Sequence, residues 1–495
     1  MRRNVLNKAT HSQSPLKPNI TTLIFDLGDV LLTWSDSTPK SPLPPKIVKG
    51  ILRSLTWFEY EKGNLTESQT YGQVAQEFGV DASEVKASFE AARDSLKSNP
   101  MLLQLIRSLK DSGHVIYAMS NISAPDWEFL KTRADLSDWA LFDRVFPSAE
   151  AHDRKPNIGF YQHVINETGL NPSNTVFVDD RIENVVSARS AGMHGIVFDD
   201  INNVIRQLKN LCEDPIHRAR SFLYANKKCL NTVSTDGTIV SENFSQLLIL
   251  EAIGDESLVD FVRHEGRFNF FQGEAKLIMT NHYPDDFDTT SIGLTVVPYI
   301  DDKTRNRVMD EILAYQSEDG IVLVYFDHKR PRIDPVVCVN VLTLFYRYGR
   351  GHQLQKTLDW VEQVLINRAC ASGTFYYATE EQFLFFLSRL IQSSPDVRQR
   401  LEGVFKRRVV ERFGADGDAL AMAMRIHTAA SVGLVDHVDL DKLFALQQND
   451  GSWRDSAFYR FPSARQLASN DGLTTAIAIQ AIQAAERLRE DGNVL

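Results

Sequence analysis

The sequence predicts two folds in one chain, an N-terminal α/β domain on a parallel sheet and a C-terminal all-α domain. Between Thr22 and about Asp200, short apolar runs alternate with helix-period segments, as in a parallel sheet wrapped by helices. Beyond about Ile201, long apolar helical segments such as FSQLLILEAIG, TLDWVEQVLI and LTTAIAIQAIQAAERL follow with hardly any strand signal, the pattern of a mostly helical domain. The 495 residues exceed what one core holds and match two large units, or three at about 150 residues each.

Composition excludes several function classes. Lys and Arg total 54 against 64 Asp and Glu, a net charge of −10 without a basic block, so the electrostatic footprint of a nucleic-acid binder is missing. Cys212, Cys229, Cys338 and Cys370 form no CxxC pair, which argues against a disulfide scaffold or zinc cluster and fits a reducing compartment. Residues 1–19, MRRNVLNKATHSQSPLKPN, read as a disordered tail without the apolar stretch of a secretory signal. With no run of about 18 apolar residues, the expectation is a cytoplasmic protein without a membrane span. The oligomeric state is not legible.

In the first half, residues 20–205, the strand-like runs are TLIFDL, HVIYAMSN, NTVFVDD and GIVF. A helical stretch opened by the turn-rich SDSTPKSPLPP separates the first two and reads as a cap over about 36–100. Polar groups follow the strands, where an open parallel sheet places its ligand crevice. They are Asp26, with Gly28 allowing close backbone approach; Ser120 and the Asn121 amide; Lys155; and the pair Asp179-Asp180. Carboxylates can hold Mg²⁺ while hydroxyl and lysine neutralise phosphoryl oxygens, leaving one carboxylate to attack phosphorus.

In this order and spacing the pieces resemble the haloacid dehalogenase (HAD) superfamily of aspartate-nucleophile phosphatases and dehalogenases, over roughly residues 20–200. The resemblance implies Asp26 as nucleophile and metal ligand, with the Gly28 carbonyl and Asp180, beside Asp179, completing the protein's share of a Mg²⁺ site. Ser120, Asn121 and Lys155 would grip the phosphate. One position departs: Gly28 stands where these phosphatases usually carry an aspartate as general acid, and Asp29 lies one residue further on. A one-residue shift redirects a side chain, so Asp29 does not simply replace it.

The second half, residues 206–495, contains an internal echo. ILAYQSEDGIV and LFALQQNDGSW each run from an apolar helix through glutamine and two residues to Asp-Gly, which suggests stacked helical hairpins of an α/α barrel or solenoid. The string TNHYPDDFDTTSIGLTVV places Asp286 and Asp288 in the first turn of an apolar helix. Burial there would keep a carboxyl protonated, while the helix N-terminus and hydroxyl donors would make its proton easier to give away. Aromatic residues crowd this half, among them Phe268, Phe270, Phe271, Tyr283, Tyr325, Tyr376, Tyr377, Phe458, Tyr459 and Phe461. Their faces can stabilise a carbocation without offering a nucleophile.

Asp-x-Asp-Thr-Thr at 286–290, with Gln-x-x-Asp-Gly-Ser-Trp ending at Trp453, resembles class II terpene cyclases, over roughly residues 215–495. By that resemblance Asp288 is the general acid, and Asp286, Thr289 and Thr290 tune and orient it. An N-terminal HAD-like domain joined to one class II terpene cyclase α/α barrel resembles the HAD-like drimane-type sesquiterpene synthases. These cyclise farnesyl diphosphate to a bicyclic diphosphate, in some members followed by its removal to drimenol or albicanol. Two alternatives stay open: a cyclase that stops at the diphosphate, and a HAD phosphatase of small phosphorylated metabolites. For gripping the diphosphate in the cyclase half, Lys276, Lys303, Arg305 and Arg307 are candidates.

Overall fold

The computed structural model describes residues 16–33, 40–133, 139–275, 277 and 283–492. Most of the expected tail, part of the turn-rich segment before the cap, and Lys276 lie outside the described residues. The chain divides into one unit of Lys17–Cys212 and a second containing Glu213–Leu495.

The N-terminal unit has strands β1 (Thr22–Phe25), β2 (Leu32–Thr33), β3 (Lys97–Ser98), β4 (Val115–Ser120), β5 (Arg144–Pro147), β6 (Thr175–Asp179) and β7 (His194–Val197). Five form a parallel sheet ordered β5-β4-β1-β6-β7. Its helices are α1 (Pro45–Leu52), α2 (Leu55–Glu61), α3 (Glu67–Phe78), α4 (Ala82–Ser95), α5 (Pro100–Asp111), α6 (Ala124–Lys131), α7 (Ser148–Ala151), α8 (Ile158–Thr168), α9 (Ile182–Ser190) and α10 (Ile201–Cys212). Alternation along the strands assigns the two faces. Leu23 and Phe25 share a core with Leu102 and Ile106 of α5 and Leu208 of α10, whereas Ile24 packs with Phe160 and Val164 of α8.

Strands β1, β4, β6 and β7 are the four expected apolar runs. Strand β5 is an addition: RVFP is an edge strand too short to show an alternation. Helices α1–α4 form the expected cap around their own core of Ile51, Trp57, Tyr60, Val74, Val85 and Phe89. Capping boxes at Thr66/Gln69 and Asp81/Glu84 start α3 and α4, satisfying backbone N–H groups that would otherwise be orphaned.

The second unit has helices α11 (Pro215–Ala225), α12 (Asn243–Ile253), α13 (Phe287–Val296), α14 (Asp302–Leu313), α15 (Pro335–Arg347), α16 (Gln355–Ile366), α17 (Glu380–Ser393), α18 (Pro395–Val410), α19 (Ala419–Ser431), α20 (His437–Leu446) and α21 (Asp471–Glu490). Helices α12, α13, α15, α17, α19 and α21 pack each on the next, and α21 returns to α12, closing an inner ring. Helices α16, α18, α20 and α11 lie outside it against α15, α17, α19 and α21. This is the expected α/α barrel. The inner helices are apolar or buried on nearly every side, as in Phe244–Leu250 of α12 and Phe287–Leu294 of α13, which a helix shows only when protein surrounds it.

The expectation of an all-α second half needs one correction. Strands β8 (Thr232–Ser234), β9 (Ile239–Val240), β10 (Ala457–Phe461) and β11 (Gln466–Ser469) form an antiparallel sheet ordered β10-β11-β8-β9. Strands of two to five residues carry too little periodicity to stand out.

The two Asp-Gly turns share one hydrogen-bond pattern. Ser317 N donates to Ile321 O and Gln448 N to Ser452 O, both at 2.8 Å. Val322 N and Trp453 N then donate to the hydroxyls of Thr357 and Thr475 at 3.2 and 3.1 Å. Gly451 has φ +91°, and a Cβ there would lie 2.3 Å from the Arg218 carbonyl. The Gln447 amide donates to Pro215 O and Gly451 O at 2.9 Å, tying the turn to α11. Trp453 is fully buried, its indole N–H donating to Leu443 O at 2.7 Å. Among the described residues no helix is long and apolar enough to cross a membrane.

Replacing a fully buried tryptophan leaves a large cavity. Trp453→Ala is expected to lower the unfolding free energy of this unit by about 3–5 kcal/mol, read from urea titration; a loss below about 1 kcal/mol would show that the turn does not staple the barrel.

Candidate active sites

In the N-terminal unit, β1 delivers Asp26, β4 ends in Ser120, and β6 ends in Asp179 just before Asp180. Asp26, Ser120 and Asp180 line one cleft of about 200 Å³ with Gly28, Asp29, Asn121 and Lys155. Asp179 lines no part of the cleft surface; it lies beneath, fully buried. Lys155 is 1% exposed, and its ammonium reaches Asp26 Oδ1 at 2.8 Å, Asp179 Oδ2 at 2.6 Å and Met119 O at 2.9 Å. Burial works against the ammonium's charge, but Asp179 and Asp26 outweigh it and raise its pKa.

The Asn121 side chain has a different task from gripping phosphate. Its amide donates to Lys155 O at 2.9 Å and its carbonyl accepts from Lys155 N at 2.8 Å, so it is spent on holding the lysine loop. Asp179 is similarly occupied. Its Oδ1 accepts from Arg181 N at 2.9 Å and from the Asn184 amide at 2.8 Å, while Oδ2 takes Lys155.

Asp26, Asp179 and Asp180 each place an oxygen within 4.8 Å of the others', a donor set that suits a hard cation. Burial pushes Asp26 up to about 7; Lys155 pulls it down, and Asp179 and Asp180 raise it further. Burial and then Asp179 bring Asp180 to about 6. Positive charge at this point would relieve all three. With the Asp179 oxygens already hydrogen-bonded, Asp26 and Asp180 are the carboxylates left. A Cβ at Gly28 would meet no protein atom within 4 Å, so protein packing does not require glycine there. Asp29 sits in the left-handed region at φ +55°, with its N–H donating to Leu32 O at 2.8 Å.

In the second unit, Asp286 is the N-cap of α13 and accepts Thr289 N at 2.7 Å through Oδ1. Its Oδ2 is buried without a partner, and burial, with Asp288 adding to it, raises its carboxyl well above the ordinary range. Asp288, in the first turn of α13, is 3% exposed. Its Oδ1 accepts from the Asn340 amide at 2.6 Å, and its Oδ2 accepts a very short hydrogen bond from the Tyr377 hydroxyl. Burial pushes Asp288 up to about 7 against the pull of these two donors.

The two threonines fall elsewhere than expected. The Thr290 hydroxyl donates to Phe268 O at 3.2 Å and accepts Phe268 N at 2.9 Å; the Thr289 hydroxyl is buried without a partner. Neither bonds Asp288, because residues one and two positions along a helix point away from each other. Among the basic candidates, Arg305 is committed to Leu294 O at 3.2 Å and Ile300 O at 2.8 Å, and Arg307 pairs with Glu311 on α14 at 2.5 Å.

Aromatic rings gather around the Asp288–Tyr377 bond. Phe386, Phe458 and Tyr459 have ring centroids 5.8, 6.0 and 5.4 Å from that of Tyr377, and Tyr459 stacks on Phe270 at 5.0 Å. The hydroxyls of Tyr283, Tyr325 and Tyr376 form a chain with steps of 3.1 and 2.6 Å. Phe375, by contrast, is 47% exposed. Sequence reading missed Asn340 and the pairing of Tyr377 with Asp288: they lie 52 and 89 residues from the acid, and only the closed ring brings them to it.

The raised carboxyl of Asp286 makes a stability prediction. A folded-state pKa above the unfolded value contributes stability below the unfolded pKa that is lost as pH rises towards the folded one. Asp286→Asn keeps a cap acceptor and removes this titration, so its unfolding temperature should gain on the wild type more at pH 7.5 than at pH 4.5. A pH-independent difference would show that Asp286 is ionised in the fold.

Known proteins match both halves. Residues 20–192 match the haloacid dehalogenase-like hydrolases, and residues 216–348 match the sesquiterpene cyclase astC-like C-terminal domain. The drimenol cyclase drtB of Aspergillus calidoustus is 40% identical over 468 residues, covering 94% of this chain and 88% of that protein. The sesquiterpene phosphatase astK of Aspergillus oryzae is 35% identical over 188 residues, 38% of this chain and 94% of that protein. Similarity that runs nearly end to end through both units means that this chain belongs to the HAD-fused drimane-type sesquiterpene synthases.

Proposed function

We propose that the chain cyclises farnesyl diphosphate by protonation in the C-terminal barrel and dephosphorylates the bicyclic product in the N-terminal unit, yielding drimenol. The observation that carries the first step is Asp288, a buried carboxyl held between two neutral donors beside an aromatic cluster. Burial keeps the acid protonated near neutrality. Asn340 and Tyr377 stabilise the carboxylate that appears as the proton leaves, which is where preorganised donors lower a barrier. The O–H bond of Asp288 breaks as the terminal alkene's electron pair forms the new C–H bond. Two further alkenes attack in turn to close two rings, and loss of a proton beside the final cation leaves an alkene with the diphosphate attached. The surrounding rings favour the cation and expose no lone pair strong enough to trap it.

In the N-terminal unit, the Asp26 carboxylate attacks the terminal phosphorus, the bond to the bridging oxygen breaks to leave the monophosphate, and water hydrolyses the acyl phosphate; a second round on the monophosphate releases the alcohol, its oxygen protonated by water. Ser120 and Lys155 hold the phosphoryl oxygens, and Asp179 and Asn121 hold Lys155. Mg²⁺, the cation this donor set suits, would sit on Asp26, Asp180 and the Gly28 carbonyl and neutralise phosphoryl charge. Leu52, Trp57, Leu96, Phe129 and Leu130 line the same cleft, an apolar wall suited to a hydrocarbon bearing a phosphate. A cytoplasmic site of action fits four cysteines that form no disulfide.

Purified protein incubated with farnesyl diphosphate and Mg²⁺, extracted for gas chromatography with mass detection, tests both steps. Drimenol should form without added alkaline phosphatase; drimenol only after its addition would make the N-terminal unit inactive, and farnesol alone would overturn the cyclase reading. Asp288→Asn should slow cyclisation by about 10²–10⁴-fold, while Asp26→Asn should leave cyclisation intact and accumulate the bicyclic diphosphate. Because the acid must be protonated, the cyclisation rate should fall as pH rises through about 7; a rate that climbs across that range would contradict a protonated Asp288.

A further inference from the structure

Asn340 reaches Asp288 from α15, and its orientation decides what it offers the acid. An amide presents either N–H donors or a carbonyl acceptor to a neighbour, and the two ends differ little in shape. Here a third residue makes the choice. Arg389 of α17 places Nη1 at 2.9 Å from Asn340 Oδ1. A guanidinium has only donors, so the Asn340 atom facing it must be the carbonyl oxygen. The amide nitrogen is thereby turned to Asp288 Oδ1, at 2.6 Å. Arg389 is itself fixed: Nη2 donates to Glu251 Oε1 of α12 at 2.6 Å, and the side chain is 11% exposed.

This orientation bears on where the acid keeps its proton. An oxygen that accepts an N–H cannot also direct its own hydrogen at that nitrogen. Asn340 donates to Oδ1 and the Tyr377 hydroxyl to Oδ2, so the proton of neutral Asp288 is spent on neither neighbour. The opposite orientation would offer Asp288 a carbonyl, and the acid would spend its proton on a hydrogen bond to Asn340 instead of giving it to an alkene. We propose that Arg389 is a positioning residue for the cyclisation: by holding the Asn340 amide with its N–H towards Asp288 Oδ1, it keeps the acid's proton from being spent on Asn340 and leaves it transferable. The assignment rests on the reading of Asp288 as the general acid.

The chain of contacts, from Glu251 through Arg389 and Asn340 to Asp288, joins four inner helices, α12, α17, α15 and α13. Arg389 also lines a cleft of about 320 Å³ with Arg347 and His427. Arg347 serves as a control, a second guanidinium on the same cleft that is not bonded to Asn340.

The test is the single-turnover cyclisation rate at saturating farnesyl diphosphate, with the apparent KM and the unfolding temperature, for Arg389→Met, Arg389→Lys, Arg347→Met and Asp288→Asn. Arg389→Met should lose about tenfold or more in rate with KM within about twofold, the signature of an interaction that matters only in the transition state. Arg389→Lys, also donor-only at this end, should recover part of the loss, and Arg347→Met should match the wild type. If Arg389→Met does not fold, the Arg389→Met/Glu251→Gln double variant, which removes the ion pair as a unit, replaces it with the same expectation. A wild-type rate in that variant, or a loss that lies wholly in KM, overturns the positioning role. Cyclisation by Asp288→Asn at the wild-type rate would instead overturn the reading of the acid, so the two failures are distinguishable.

Discussion

A carboxyl group kept neutral inside a ring of helices is the constraint around which the C-terminal unit is built. Asp288 lies near the N-terminus of α13, a helix buried along almost its whole length, and its surroundings impose opposing demands. Burial must be deep enough to keep the proton on at neutral pH, which any apolar cavity would achieve. An acid that only holds its proton protonates nothing, so the conjugate base needs support as well. Asn340 and Tyr377 supply it with neutral donors, and the cation of Arg389 stands one residue removed, where it biases the carboxyl without forming an ion pair that would strip the proton permanently. A closed barrel suits this arrangement because residues far apart in sequence converge on its interior while water stays outside.

The N-terminal unit resolves the same problem in the opposite direction. On the proposed mechanism Asp26 must be ionised to attack phosphorus, and it too is buried. Here a full positive charge, the Lys155 ammonium, lies directly on Asp26 and on Asp179 beneath it. The buried lysine and the two aspartates satisfy one another, as a desolvated charge cluster must if its cost is to be offset. One chain thus holds two buried aspartates, each pushed up to about 7 by burial, one beside an amide and a phenol and the other beside an ammonium.

Much of this was legible in the sequence because the chemistry sits on local patterns. Four strands of the parallel sheet announce themselves as apolar runs followed by polar residues, and the Asp-x-Asp-Thr-Thr string marks a helix start by its capping chemistry. Residues 447–453 were readable as a turn, down to the glycine that the Arg218 carbonyl demands. What escaped depends on closure of the fold. Asn340 and Arg389 are ordinary polar residues in apolar helices until α15 and α17 stand beside α13. The resemblance assigns Thr289 and Thr290 to tuning the acid, but helical geometry turns their hydroxyls away from Asp288. The side chains of Asp179 and Asn121 also hold Lys155 in place, a support that no local motif displays. The short strands β5 and β8–β11 lacked the length to show a period.

The central claim is that the reaction begins with a proton given by Asp288 to carbon. Incubating the protein in D₂O with farnesyl diphosphate and locating deuterium in the extracted product by mass spectrometry and NMR tests it most directly. The expected product is drimenol carrying a deuteron on the ring carbon derived from the terminal alkene, formed about 10²–10⁴-fold more slowly by Asp288→Asn. Bicyclic product without deuterium at that carbon, or an equal rate of labelling in the variant, would contradict it.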